Sequence, residues 1–333
     1  MSTVLHLQES LRAAERRYKF NIASWLEDRL YLKDALYRRI VYRENMGFTF
    51  NHKEQFDSDG YTRSELVLTH GLPKRNVPVT ILSPSKPNGS GVVAIHGHTD
   101  TANGIVCGNN KEGKEIPEGA DYGVEFVKQG YMVVAPCLTP FGARGKMTSN
   151  NCGPVSLKYQ LLGRSLLAEN LEDIFVATSL LKGDPRSHNV GLAGFSFGAN
   201  MAIIAAALGG RRYDCVGLAD PATSIQTDCI DNGRWDCGAL VFPGMLQLCD
   251  VVDIAALISP TPCCLEMTGT AENGEWPKKA RDFRSVLMDA YLLDDVRDSF
   301  SYQGYEGGHR WHGGAIYALF DEVLTPSSIA EET

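Results

Sequence analysis

The pentapeptide Gly194-Phe195-Ser196-Phe197-Gly198 interrupts an apolar run that begins at Asn189 and passes directly into an Ala- and Ile-rich segment ending near Ala207. That pattern reads as strand, tight turn and helix. A serine at such a turn adopts a strained backbone with its hydroxyl proud of the sheet. The flanking glycines are required because any side chain would strike the neighbouring strand and helix. The N–H of Phe197 then opens a helix, where developing negative charge is stabilised. Ser196 is therefore the expected nucleophile. A serine hydroxyl is a weak nucleophile near neutral pH, so it needs a base within hydrogen-bond reach, and the base needs an acceptor that fixes its tautomer.

The surrounding elements supply candidates for both. From residue 91 onward strands alternate with helices: Gly91–Ile95, Tyr131–Ala135, the Ser196 strand, Cys215–Ala219, Pro262–Met267 and Ser299–Tyr302 are read as strands. Helices are expected over Gly119–Gln129, Ser156–Leu181, Lys278–Leu293 and Gly313–Val323. This alternation predicts an α/β fold with a mostly parallel sheet and helices on both faces. Ligands bind beyond the carboxyl ends of such strands. His96-Gly97-His98-Thr99-Asp100, Ser196, Asp220, Glu272 and His309 all fall at those ends. His309 is the expected base, with His312 as the alternative. Glu272 and Asp220 both follow strands, and either could be the acid. The irregular stretch from Ala222 to Ser259 carries Ile225, Trp235, Leu240, Phe242 and Met245, which could line an acyl or alcohol pocket. Arg144, in a Gly-rich loop, is expected at the surface, and Arg164 and Asp173 are read as structural.

Upstream, residues 1–45 form an N-terminal helical extension of two amphipathic helices broken near Asn21. Trp25, Leu32, Leu36 and Ile40 share one stripe. The extension could cover the site, make a homodimer contact or close an edge of the core. Period-two patterns at Tyr61–Thr69 and Val77–Leu82 predict an antiparallel start to the sheet. Residues 46–325 are read as a single catalytic domain, and 326–333 as a frayed tail.

At these residues the chain resembles the α/β-hydrolase fold and, within it, the dienelactone hydrolase and acetyl xylan esterase-like branch. The resemblance runs from about Gly91 to Leu324. It rests on Leu161-Leu-Gly-Arg-Ser-Leu166 with Asp173, GFSFGAN, Pro243-Gly-Met with Asp253-Ile-Ala, Gly269-x-x-Glu272 before Trp276-Pro277, and Gly307-Gly-His309. It implies Ser196 as nucleophile, Glu272 as acid and His309 as base, with the backbone N–H groups of His98 and Phe197 as the oxyanion hole. The acid position usually holds aspartate and here holds glutamate, and Ala199 stands where glycine is common. The activity implied is hydrolysis of a carboxylic ester or related acyl bond in a small-molecule substrate. A C–C bond hydrolase or peptidase on the same triad, or a catalytically silent small-molecule-binding homologue, are the alternatives.

Composition narrows the partners. A net charge of −8 argues against nucleic acid and anionic membranes, which call for a basic surface. The N-terminus has no secretory h-region, and no stretch reaches the roughly 20 apolar residues of a membrane span. Nine cysteines without metal-ligand spacing read as buried reduced thiols, implying a cytoplasmic protein. His96 and His98 could be joined with His309 as a metal site. No carboxylate or cysteine set accompanies them in sequence, so no metal and no organic cofactor is expected.

Overall fold

A computed structural model describes residues 3–40, 47–71, 73–109, 116–145, 152–231, 237–269 and 278–325. The chain opens with helices α1 (Thr3–Arg12) and α2 (Trp25–Ile40), then strands β1 (Phe48–Ser58), β2 (Tyr61–His70), β3 (Arg75–Pro84) and β4 (Ser90–Ile95). Helices α3 (Asn103–Val106) and α4 (Tyr122–Lys128) lead to β5 (Met132–Pro136), followed by α5 (Cys152–Leu161) and α6 (Leu166–Lys182). Next come β6 (Asn189–Phe195), α7 (Phe197–Gly209) and β7 (Cys215–Ala219). Three short helices follow, α8 (Ile225–Asp231), α9 (Met245–Leu248) and α10 (Val251–Ala255). The chain ends with β8 (Cys263–Gly269), α11 (Lys278–Leu293), β9 (Phe300–Glu306) and α12 (Gly314–Leu324).

The strands form one sheet in the order β1-β2-β3-β5-β4-β6-β7-β8-β9. The first three are antiparallel, β3 meets β5 antiparallel, and everything from β5 to β9 is parallel. Strands β4, β5 and β7 are buried along their whole length, as expected where helices cover both faces. One core joins α2, α6, α7 and α11 to the sheet; a second, on the opposite face, holds α3, α4 and α12.

The expected helix over Ser156–Leu181 is two helices. Gly163 takes a left-handed φ of 69°, and Ser165 begins the second helix by accepting the Ala168 N–H at 3.1 Å. The N-terminal segment is tied down by buried polar contacts. Asp253 accepts the Phe20 N–H at 2.8 Å and pairs with Arg16 at 2.9 Å, while Trp25, Leu32, Leu36 and Ile40 are fully buried. These four belong to the same core as the sheet. Arg144 departs from its expected surface position. Its guanidinium is nearly buried and pairs with Asp173, which also contacts His70 at 2.7 Å and Arg75 at 3.3 Å, so the Gly-rich loop folds inward onto a carboxylate of α6.

Candidate active site

Ser196 joins β6 to α7 with φ 56° and ψ −118°, the left-handed half of conformational space. The turn fits only because both flanks lack side chains. A Cβ on Gly198 would lie 2.0 Å from the Ile95 carbonyl oxygen, and one on Gly194 would lie 2.2 Å from that of Gly198. The Ser196 N–H donates to the Ala219 carbonyl at 2.8 Å, which extends the β6–β7 ladder into the turn. The Phe197 amide starts α7, where the first-turn N–H groups have no intrahelical acceptor.

One strand over, Asp220 repeats the device. It follows β7 with φ 51°, and its N–H donates to the Glu266 carbonyl of β8 at 2.9 Å. Its carboxylate accepts the Thr268 N–H at 2.6 Å, the Thr268 hydroxyl, and His309 Nδ1 at 2.9 Å. Burial works against the carboxylate's charge, but the hydrogen bonds from His309 and Thr268 outweigh it and hold the pKa of Asp220 below the ordinary value. Asp220 is thus an anion aimed at one nitrogen of His309. Glu272 lies outside the described residues, as does Trp235.

His309 sits in the loop between β9 and α12, its ring 4.7 Å from that of Phe195. Glu266 anchors this loop from below. Almost wholly buried, it accepts N–H groups from Gly313 at 2.7 Å, Ala315 at 2.8 Å and Ile316 at 3.2 Å, at the start of α12. Trp311, stacked on Tyr122 at 4.1 Å, fixes the middle of the loop. His312, the alternative base, points elsewhere: it stacks on Tyr305 at 4.0 Å and accepts from Arg310 at 3.2 Å.

Ser196, Phe197, Asp220, His309 and His98 line one cavity of about 470 Å³. Its floor is braced by Asn200, whose amide exchanges two hydrogen bonds of 2.9 Å with the backbone of Ala222. Leu240 is the one residue of the expected pocket set on this cavity's wall among those described. Ile225, Phe242 and Met245 instead line a separate groove beside α1. His96 has a structural role. It is fully buried, its Nδ1–H donates to the Gly97 carbonyl at 2.8 Å and its Nε2 accepts the Leu138 N–H at 3.1 Å, so the ring is neutral, and burial lowers its pKa to about 4. His98, on the next turn, faces the cavity with its ring between Phe141 and Phe197.

Sequence reasoning passed over Thr268, Asn200 and Glu266. Thr268 and Asn200 carry local signals, a hydroxyl at the end of a strand and an amide inside a first helical turn. Glu266 carried one as well, a lone acid within the apolar run of β8.

No family model and no curated protein matches the sequence. Solved structures do. The chain superposes with a TM-score of 0.76 and 17% identity on a Bacteroides fragilis protein provisionally named an acetyl xylan esterase, covering 98% of this chain and 91% of that one. A promiscuous CE15 esterase from a marine bacterial metagenome gives 0.61 and 12%, over 90% and 91% of the two chains. The glucuronoyl esterase from Solibacter usitatus gives 0.59 and 14%, over 91% and 94%. The strand order, the serine turn and these superpositions together establish that this chain has the α/β-hydrolase fold.

Proposed function

We propose that the protein is a serine esterase acting through an acyl-enzyme, with Ser196 as nucleophile, His309 as general base and Asp220 as the orienting acid. The observation that carries this reading is the hydrogen bond from His309 Nδ1 to Asp220, on the cavity that also holds Ser196. With Nδ1–H committed to the carboxylate, Nε2 presents a lone pair that can take the serine proton as Oγ attacks the ester carbonyl. The N–H groups of Phe197 and His98 receive the oxyanion of the tetrahedral intermediate, a contribution on the order of 10²- to 10³-fold per donor. Collapse expels the alcohol, protonated by His309, and water then releases the acid by the same steps in reverse. Asp220 takes the role that the sequence motif assigned to Glu272, because it already holds the histidine.

The substrates named for the similar structures, xylan acetates and glucuronoyl esters, support an ester of a carbohydrate as the substrate class. The cavity, about 470 Å³ and lined by Thr223 as well as by apolar residues, has room for a sugar ring. The test is a substrate panel: acetylated xylo-oligosaccharides, an alkyl glucuronate ester, and p-nitrophenyl esters from acetyl to octanoyl. Hydrolysis of the sugar esters and short acyl esters with loss at octanoyl supports the reading, whereas no turnover and no fluorophosphonate labelling at Ser196 would reduce the protein to a silent binding homologue.

Burial of eight of the nine cysteines supports a reducing, cytoplasmic compartment. Among the described residues no helix is long and apolar enough to cross a membrane. The exposed Leu26 and Leu30 on α2 support a homodimer contact through the N-terminal helices, which light scattering would test.

A further inference from the structure

We propose that His98, Cys152 and Cys237 form a site for a thiophilic divalent cation, Zn²⁺ above all, with its fourth coordination position open to the cavity that holds Ser196. The three side chains come from separate segments: the loop after β4, the first residue of α5 and the residue before the 3₁₀ turn Gly238–Leu240. Their ligand atoms all lie within 4.8 Å of one another, and His98 Nε2 stands 3.9 Å from Cys152 Sγ. A tetrahedral zinc with its usual bond lengths sets its sulfurs about 3.8 Å apart and a sulfur and nitrogen about 3.6 Å apart. The triangle therefore needs a contraction of less than about 1 Å, within the reach of side-chain rotation alone.

The surroundings hold that triangle in place. A Cβ on Gly238 would fall 2.5 Å from Ser156 Cβ and 2.9 Å from the Cys152 carbonyl oxygen, so the Cys237 segment lies directly against the first turn of α5. Both cysteines are buried, at 0% and 6% exposure. The His98 ring packs 4.9 Å from Phe197 and 5.5 Å from Phe141. His98 and Cys237 are both on the cavity wall. Two thiolates and an imidazole are a soft donor set, which selects Zn²⁺ over Mg²⁺ or Ca²⁺. Three protein ligands leave one position for water or for an oxygen of a bound molecule. On binding, the thiol protons pass to solvent. This revises the sequence expectation that no cysteine accompanies the histidines after β4. The ligands are scattered along the chain, and only the packing of α5 against the 3₁₀ turn assembles them. A cation here occupies the wall beside Phe197, so it lowers ester hydrolysis by obstructing the cavity.

The test uses the full chain kept reduced with a phosphine, titrated with Co²⁺. One equivalent should produce the near-ultraviolet thiolate charge-transfer band and intense visible bands of a four-coordinate ion, and Zn²⁺ should bleach both. Cys152→Ser and Cys237→Ser should each abolish the charge-transfer band or halve it, and His98→Ala, at an exposed position, should weaken binding at least about tenfold. Ser196→Ala should bind Co²⁺ as the parent does, which separates this site from the hydrolase reading. A spectrum without thiolate bands, or one unchanged in both serine variants and in His98→Ala, overturns the proposal.

Discussion

Asp220 and His309 are 89 residues apart in the chain, and the carboxylate of one accepts from Nδ1 of the other at 2.9 Å. The contact crosses from the end of β7 to the loop after β9, over β8, and Thr268 at the end of β8 steers the carboxylate with both its N–H and its hydroxyl. The carboxylate cannot turn away from the ring without giving up these bonds.

The acid is testable by amide substitution. Asp220→Asn keeps the shape but presents an amide to Nδ1 and favours the wrong tautomer, so kcat should fall by about 10⁴-fold with the melting temperature little changed. Glu272→Gln should cost less than about tenfold. Steady-state kinetics on p-nitrophenyl acetate ranks the two. The opposite order would return the acid role to Glu272.

Ser196→Ala should leave the protein folded and lower kcat by about 10⁴-fold or more, since the proposed oxyanion donors remain and the proposed nucleophile does not. Circular dichroism and ester turnover, measured together, separate loss of chemistry from loss of structure. Retention of a tenth of the activity would remove Ser196 from the mechanism.

Gly198→Ala should prevent proper folding or destabilise the protein by several kcal/mol, because the new methyl meets a backbone carbonyl that has nowhere to move. Soluble yield and urea unfolding report this. A stable, active variant would show that β4 and the serine turn are less closely apposed than 2.0 Å implies.

Acid should destabilise the fold through His96. Its folded pKa of about 4 lies below the ordinary 6.5, so its stabilising contribution is complete above 6.5 and is lost as pH falls from 6.5 toward 4. The full span corresponds to about 3 kcal/mol. Asp253, raised to about 6 mainly by burial, runs the other way and regains stability as pH falls below 6. Urea midpoints at pH 7 and pH 5 should therefore drop less in His96→Gln than in the parent; equal drops would exclude His96 as the source.

Leu36→Ala should cost about 2–5 kcal/mol, the range for a fully buried leucine, because α2 packs into the main core. Chemical denaturation measures it. A loss under 1 kcal/mol would mean that the N-terminal helices are a dispensable cover.

The serine turn was legible in sequence because its requirement is local: two glycines and a strand-to-helix change specify it within a few residues. The α/β alternation was legible for the same reason. The preference proposed for Asp220 over Glu272 was not, since both follow strands and the contacts that favour Asp220 come from Thr268 and His309, on other segments of the chain. Glu266 escaped notice because an acid inside an apolar strand reads as an outward-facing residue. In fact it is buried and satisfied by the backbone of α12. The break at Gly163 was hidden by apolar residues that continue in helical period on both sides of it.

Among the described residues, four non-glycine side chains have positive φ, and Ser196 and Asp220 are two of them, at 56° and 51°. Each such conformation costs on the order of 1–3 kcal/mol. Glycine at either position would relieve the backbone while deleting a side chain of the proposed triad. If the proposed triad holds, selection for heat resistance alone favours its loss, so directed evolution of a hardier variant must screen ester turnover alongside survival.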